Sequence, residues 1–336
     1  MIGGLAVEMY SPPFFITNEM VSLVSEISDK LGQISNYKEF ERKPHLRRNN
    51  RIKSIHSSLA IEANSLSMDE VRAVVNGKTV IGPQKEIQEV KNAYAAYEQI
   101  GSFDPYSVEE LKRLHGLLTK YTVDESGTFR RGEEGVFDGD RCIFMAPPAR
   151  LVPQLMDDLF GWMAREKGSV HPLILSSIFH YEFVFIHPFA DGNGRMARLW
   201  QTALLTHWKQ VFQYLPIESH IYKFQTEYYN AISACHVAGN SDAFIVFMLT
   251  MINSTLDEVV QQAASSTSSM SEQVKRLLNV MEYGEAYTAK RIMELLGLKS
   301  KETLRKNYLN PAIEDGLVIM SEPDKPTSRN QTYIKQ

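Results

Sequence analysis

The sequence predicts a mainly α-helical protein with one β-hairpin set into its helical body and a smaller helix-and-strand domain at the C-terminal end. Three observations predict it. Apolar residues recur at three and four through most of the first 260 positions, one Asp-Gly pair sits between two short apolar runs, and a small polar stretch separates this body from the last 65 or so residues. At 336 residues the chain has room for one large domain and one small one. We expect boundaries at 1–100 for an N-terminal region, 101–262 for the central body and 272–336 for the C-terminal domain.

The helical reading is clearest in SVEELKRLHGLLTKY (107–121) and VPQLMDDLFGWMAREK (152–167), where Ser107 and Pro153 are helix-start residues. Between Gly127 and Pro148 the helical period fails. Val136, Phe137, Ile143 and Phe144 flank the central Asp138-Gly139 pair, which is a hairpin signal. Residues 261–272, QQAASSTSSMSE, lack apolar anchors and read as a linker or a frayed helix end. Helix-like segments follow at 274–282, 288–296 and 300–315, then LVIM at 317–320 and QTYIK at the end. Helix, helix, helix and a two-stranded wing is the order of a winged helix.

Composition narrows the function classes. The chain is 43% hydrophobic and 23% charged, as ordinary globular proteins are. A net charge of -4 argues against general attraction to nucleic acid or anionic membranes, although a local basic face stays open. Cys142 and Cys235 are too few for a disulfide framework or a four-cysteine zinc site. The first residues lack a basic n-region, and no uninterrupted apolar run approaches about 18 residues, so we expect a cytoplasmic protein without a membrane span.

The chemistry concentrates in HPFADGNGRMAR, residues 187–198, which lies between two helix-like segments. Gly192, Asn193 and Gly194 can turn successive N–H groups into one concavity at a helix N-terminus, which makes an anion cradle. Arg195 and Arg198, three apart, can reach the same side and grip phosphate oxygens. Asp191 is a hard carboxylate beside that cradle, where magnesium is commonly held. His187 has the near-neutral pKa suited to taking a proton from a hydroxyl. Phe189 is expected to point inward and hold the loop. Each feature alone is common, but nine specified positions in this order arise by chance with a probability on the order of 10^-8. The combination suits phosphoryl-type or nucleotidyl transfer, in which positioning and charge stabilisation dominate.

This string resembles the signature of the Fic family, HPFx(D/E)GNGRxxR, at every position. The resemblance implies a Fic helical core with a β-hairpin flap and transfer of AMP from ATP to a hydroxyl on a target protein. It further implies that His187 is the base, that Asp191 holds Mg2+, that Gly192, Asn193 and Gly194 bind the phosphates, and that Arg195 and Arg198 contact the β and γ groups. Related Doc-type kinases carry lysine where this chain has Gly194, which favours nucleotidyl transfer.

Residues 57–64, SSLAIEAN, resemble the family's inhibitory motif (S/T)xxxE(G/N), with Ser58 and Glu62 in the named places. By that resemblance Glu62 pairs with Arg198 and keeps the γ-phosphate from settling productively. Ala63 stands where glycine or asparagine is usual, and as a good helix former it need not displace Glu62. The hairpin resembles the family's flap, which would dock a target segment as an added strand over about 134–145. Tyr228 and Tyr229 match a tyrosine pair near the adenine site, and since adjacent helical residues cannot share a face, Tyr229 is the one expected there.

Two rival readings remain. The same site could remove AMP, with Glu62 positioning water. Alternatively, the winged helix could bind DNA through Lys299, Lys301, Arg305 and Lys306, the core serving as sensor. Self-modification and a homodimer are both compatible with either.

Overall fold

A computed structural model describes residues 10–36, 44–138, 141–269, 271–282, 284–314, 316–323, 325, 326 and 328–335. By contacts the chain divides into two compact units. One comprises residues 1–29 and 50–256, the other 30–49 and 257–336.

The chain opens with α1 (Asn18–Asn36), α2 (Pro44–Ile61), α3 (Met68–Val75), α4 (Gln84–Tyr97) and α5 (Val108–Leu118). The hairpin β1 (Gly135–Asp138) and β2 (Arg141–Met145) follows, then α6 (Val152–Glu166), α7 (Pro172–Ile186), α8 (Asn193–Trp208), α9 (Ile217–Lys223), α10 (Gln225–Ala238) and α11 (Asp242–Ser269). Both helix starts read from the sequence are present. The Ser107 hydroxyl accepts from Glu110 N, satisfying one orphan amide, and Pro153 lies in the first turn of α6, where its missing N–H costs nothing.

In the first unit α7 is the central helix. Its side chains are apolar nearly all round and buried from Leu173 to Phe183, as befits a helix packed on every face. It lies along α8, and Phe160, Phe179 and Trp200 mesh between α6, α7 and α8 with ring centroids 5.8–6.4 Å apart. This packing fixes the two helices whose junction carries the site. The stretch Asp242–Gln261 of α11 is long and apolar enough, by length and composition, to cross a membrane. Half of it is buried, with Phe244, Ile245, Met248, Leu249, Ile252 and Leu256 turned inward as in a core helix.

The hairpin forms where expected, but Asp138 pairs with Arg141 inside the ladder instead of forming the turn with Gly139. Residues 139 and 140 lie outside the described residues. The register shifts between Val136 and Phe137, so that Phe137 pairs with Cys142 and Ile143 is the extra residue of a bulge. Phe144 anchors the hairpin, stacking on His236 at 4.3 Å and tilting against Phe185 at 5.5 Å.

Most of the stretch read as a linker or frayed end, residues 261–269, continues α11 as helix. The second unit then forms α12 (Glu272–Val280), β3 (Ala286–Thr288), α13 (Ala289–Leu296), α14 (Lys301–Leu304), a π-turn (Arg305–Leu309), α15 (Asn310–Glu314), β4 (Val318–Met320) and β5 (Thr332–Lys335). The two strands expected near the C-terminal end pair as β4 and β5 in a three-stranded antiparallel sheet of order β3-β5-β4, with β5 in the centre and β3 on its other side. Three residues of β3 are too few to show a period of two. Val274, Leu277, Ile292, Leu304, Tyr308, Val318 and Tyr333 belong to this unit's own core.

Candidate active site

The α7–α8 junction builds the site. His187 ends α7 with φ 51° and ψ 60°, a left-handed conformation that a non-glycine residue adopts only when its surroundings hold it there. The holder is Arg130. Its Nε donates to His187 O at 2.6 Å, its Nη2 donates to Ile186 O at 3.3 Å, and its backbone N–H donates to Pro188 O at 2.9 Å. The same guanidinium donates to Gly132 O and Pro147 O, so the root of the hairpin and the histidine loop share one clamp. Nothing in the sequence singles out Arg130, one arginine of a pair in a loop.

Val184 O lies 3.3 Å from His187 Nδ1. A carbonyl can only accept, so Nδ1 carries the proton and Nε2 keeps its lone pair. Burial pushes the His187 pKa below the ordinary histidine value, outweighing the Val184 hydrogen bond and the nearby carboxylates that raise it. The ring is therefore a neutral base at physiological pH.

Phe189 is fully buried, as expected, and lies flat on His115 with centroids 3.6 Å apart. His115 Nδ1 accepts from Gly127 N at 3.0 Å, which leaves Nε2–H to donate to Asp191 O at 2.9 Å. Desolvation lowers its pKa to about 4 and keeps this tautomer neutral. His115 is thus a second support for the loop. An amphipathic-helix reading of residues 107–121 does not distinguish it from core. Asn193 closes the loop as well, its side chain accepting from Phe189 N and donating to Phe189 O. That leaves its backbone N–H, and those of Gly194 and Arg195, as the first-turn amides that a helix leaves without an internal acceptor.

Gly192 has φ 83°, and a Cβ there would stand 3.0 Å from Thr119 Cγ2. At Gly194 a Cβ would fall 2.2 Å from Glu62 Oε1. Glu62 therefore lays its carboxylate directly over the start of α8, in the anion cradle. Glu62 Oε1 also accepts from Arg198 Nη2 at 2.7 Å. Arg198 is buried and further held by Ser58, with Nε donating to Oγ at 3.1 Å and Nη2 donating to the carbonyl at 2.9 Å. Burial disfavours its charge, but Glu62 beside it more than compensates, and its pKa rises. Arg198 Nη1 is buried without a partner.

Arg195 points elsewhere. Its Nη1 donates to Glu89 at 3.0 Å and its Nη2 to Asp191 Oδ1 at 2.8 Å, so the two arginines diverge instead of gripping one spot. Asp191 Oδ1 also accepts from Gly192 N, while Oδ2 has Lys85 Nζ at 4.0 Å. Glu89 Oε2 accepts from Asn64 Nδ2, tying the chain just after α2 to the same cluster.

Ala63 corrects the sequence reading. It lies beyond the helix with φ 63°, Ala63 N bonding Ala60 O and Asn64 N bonding Leu59 O, which is a Schellman cap. Helix propensity is irrelevant at that position. A left-handed residue is required, which is what glycine or asparagine would supply.

Tyr228 is buried, its hydroxyl 3.0 Å from His180 Nε2, and belongs to the core. Tyr229 is 47% exposed and meets Tyr228 edge-on at 5.2 Å. Burial raises the Tyr229 pKa, and the Glu62 carboxylate adds to the rise.

Residues 105–205 match the model of the Fic/DOC family, and 272–334 match the C-terminal domain of Filamentation induced by cAMP protein Fic-like. The crystal structure of a Fic family protein from Desulfovibrio desulfuricans is 43% identical, with a TM-score of 0.73, and the match covers 97% of this chain and 98% of that one. Fic-1 from Caenorhabditis elegans (aa134–508), at 21% identity and TM-score 0.62 over 74% of each chain, shares the fold. Among curated proteins, Protein adenylyltransferase Fic of Culex quinquefasciatus is 30% identical over 46% of this chain and 32% of its own length. Protein adenylyltransferase fic-1 of C. elegans is 26% identical over 68% of this chain and 44% of its own. The chain thus spans less than half the length of these curated relatives.

Proposed function

Because the chain belongs to the Fic family, we propose that it transfers AMP from ATP to a hydroxyl side chain of a target protein, and that Glu62 holds this activity down at rest. One observation carries the reading: the Glu62 carboxylate lies over Gly194 in the amide-lined cradle, 2.7 Å from Arg198. A site that accepts a carboxylate there can accept a phosphate. The names of the curated relatives support the same reaction.

In this reading His187 Nε2 takes the proton of the target hydroxyl as its oxygen bonds to the α-phosphorus. The bond from that phosphorus to the bridging oxygen breaks and pyrophosphate leaves. The first-turn amides of α8 and the partnerless Nη1 of Arg198 stabilise the charge that develops on the phosphates. Tyr229 offers a face to adenine. Gly194 leaves room for the phosphate close to the backbone.

Asp191 fits a magnesium ion that arrives with the nucleotide. The described residues contain no group of three or more histidine, cysteine or carboxylate ligands, and magnesium needs only one or two carboxylates besides phosphate oxygens. Asp191 Oδ2, whose other oxygen is occupied, would hold it. Bound there, the ion would neutralise phosphate charge.

The target docks on the hairpin as an added strand, through backbone groups. The deciding experiment supplies ATP labelled separately at the α and γ positions to parent and Glu62→Gly protein with candidate targets. Label from the α position, increased in Glu62→Gly, is the expected result. Label from the γ position, or no gain, removes the reading. Glu62 is partly open to solvent, so the rival in which it activates water for AMP removal is tested on a pre-modified target. Loss of AMP release in Glu62→Gly would favour that rival.

A second reading concerns the C-terminal unit, whose helix order and sheet support a winged helix. Lys290, Lys301, Arg305 and Arg329, with Glu302 as the one carboxylate among them, line one concavity of about 450 Å3 and give this face a net positive charge that suits a phosphate backbone. Binding of duplex DNA that weakens with salt and with Lys301→Ala and Arg305→Ala would support this, and no binding at low salt would leave protein docking.

A further inference from the structure

Each arginine of the 187–198 loop is held by a carboxylate, and the two carboxylates meet at one turn. Arg198 donates to Glu62 Oε1 at 2.7 Å. Arg195, 5% exposed, donates from Nη1 to Glu89 Oε1 at 3.0 Å and from Nη2 to Asp191 Oδ1 at 2.8 Å, while its Nε is buried without a partner among the described residues. The other oxygen of Glu89 accepts from Asn64 Nδ2 at 2.9 Å. Asn64 lies two positions beyond Glu62, across the left-handed Ala63. One carboxylate on α4 therefore grips both an arginine of the cradle and the turn that presents Glu62.

Glu86, also on α4, grips the turn alone. Its Oε2 accepts from Ser65 N at 2.6 Å and from Ser65 Oγ at 2.8 Å, and its carbonyl accepts from Asn64 Nδ2 at 3.3 Å. Of the two carboxylates, Glu89 is the one that continues to the cradle. The Asn64 side chain spends its oxygen within the turn, accepting from Leu66 N at 3.2 Å. An effect of Asn64 on nucleotide must then pass through the turn or through Glu89.

Charge makes this grip compete with a polyphosphate. The Glu89 side chain is only 12% exposed, and Arg195 is the cation it pairs with. A ligand that draws Arg195 into the cradle leaves that carboxylate largely buried, without its cation and beside new negative charge, which is an unfavourable state. Movement of Glu89 away from the site relieves it, and the bond to Asn64 is lost or strained in that movement.

We propose that Glu89 is a positioning residue that couples the two arginines. With Arg195 paired to Glu89 the turn is latched and Glu62 stays over the cradle. Recruitment of Arg195 by the outer phosphates of ATP loosens the latch and favours withdrawal of Glu62. The coupling is reciprocal, so loosening the turn raises affinity for a ligand that carries those phosphates. AMP lacks the β and γ groups and is indifferent to the latch. This rests on the proposed binding of ATP at the cradle, and adds that the polyphosphate itself works against the restraint.

The test uses the full chain and measures affinity for ATP with magnesium, and for AMP, by calorimetry in the parent and Glu62→Gly backgrounds. Asn64→Ala removes the latch without touching either arginine. In the parent it should raise ATP affinity about fivefold, the low end of typical coupling between sites, with AMP affinity changed less than about twofold. In Glu62→Gly it should change neither by more than about twofold, because no restraint is left to release. Asn64→Asp keeps an oxygen for Leu66 and sets a carboxylate against Glu89, so it should act in the same direction and more strongly. Glu89→Gln, whose amide keeps one acceptor for two donors, should raise ATP affinity in the parent as Asn64→Ala does. Hydrogen exchange supplies a readout independent of mutation: the Ser65 and Leu66 amides of the parent should exchange faster with ATP bound than with AMP bound. Equal ATP gains in the two backgrounds, no gain in folded Asn64→Ala, or exchange that ignores the outer phosphates overturns the latch. A lower ATP affinity in Glu89→Gln does the same, since Glu89 would then be supporting Arg195 for the nucleotide. Should a variant fail to fold by thermal melting, exchange in the parent decides. If affinity and exchange move as stated but no α-labelled transfer occurs, the latch stands and the proposed reaction fails. If transfer proceeds and both readouts are flat, only the latch fails.

Discussion

The Arg130 side chain donates to the carbonyl oxygen of His187 at 2.6 Å, so the residue that would take the proton is held in its left-handed backbone conformation by a guanidinium 57 positions earlier. Arg130→Lys keeps the charge and loses the fork that spans Ile186, His187 and Pro147. We expect kcat to fall on the order of a hundredfold with ATP affinity within about twofold, because a misplaced base costs rate and the cradle is built elsewhere. Single-turnover rates and equilibrium nucleotide binding on one preparation check this, and an unaltered rate would refute the clamp.

Ala63 is the residue to replace next. Its φ of 63° costs an alanine roughly 1 kcal/mol that glycine avoids. Ala63→Gly should raise the melting temperature and lower resting AMP transfer by up to about fivefold, since a firmer cap holds Glu62 in the cradle. A lower melting temperature would contradict the strain.

The pH response of stability should show Glu182. Burial raises its carboxyl pKa to about 7, against which the hydrogen bond from Tyr10 works only in part. The folded protein therefore holds a proton that the unfolded chain has lost above its ordinary value near 4.5. Its stabilising contribution is complete below that value and disappears as pH rises through about 7, a change of about 3 kcal/mol at most. Glu182→Gln should remove this dependence while still accepting from Tyr10. Chemical denaturation of parent and variant at pH 5 and pH 8 tests it, and parallel curves would rule it out.

His187→Ala should abolish transfer and spare ATP binding. Because burial depresses the pKa of this histidine, the acid limb of the parent's rate profile should lie below the ordinary histidine value, with activity lost as pH falls through it. A limb above that value would mean that His187 is not the titrating base.

Much of the site was legible because its chemistry is local. The loop 187–198 carries base, carboxylate, glycines and arginines within twelve positions, and the junction of α7 and α8 brings them together without help from distant sequence. The supports were not legible. Arg130 and His115 are single polar residues in ordinary amphipathic or loop contexts, and their roles exist only through partners up to 76 positions away. The divergence of Arg195 from Arg198 belongs to the same class, because the sequence spacing allows convergence and Glu89 prevents it. β3 escaped for a different reason, since three residues carry no period.

Gly194 has a consequence for how control can be lost. The Glu62 oxygen stands where a side chain at 194 would begin, and a phosphate bound in the same cradle would need the same space. Any substitution at 194 that expels the restraint therefore expels the substrate. Constitutively active variants cannot arise on the α8 side of this contact. They must arise on α2, at Glu62 or in the turn that presents it, so a random screen for runaway activity should return mutations clustered in that one short stretch and none in the glycines.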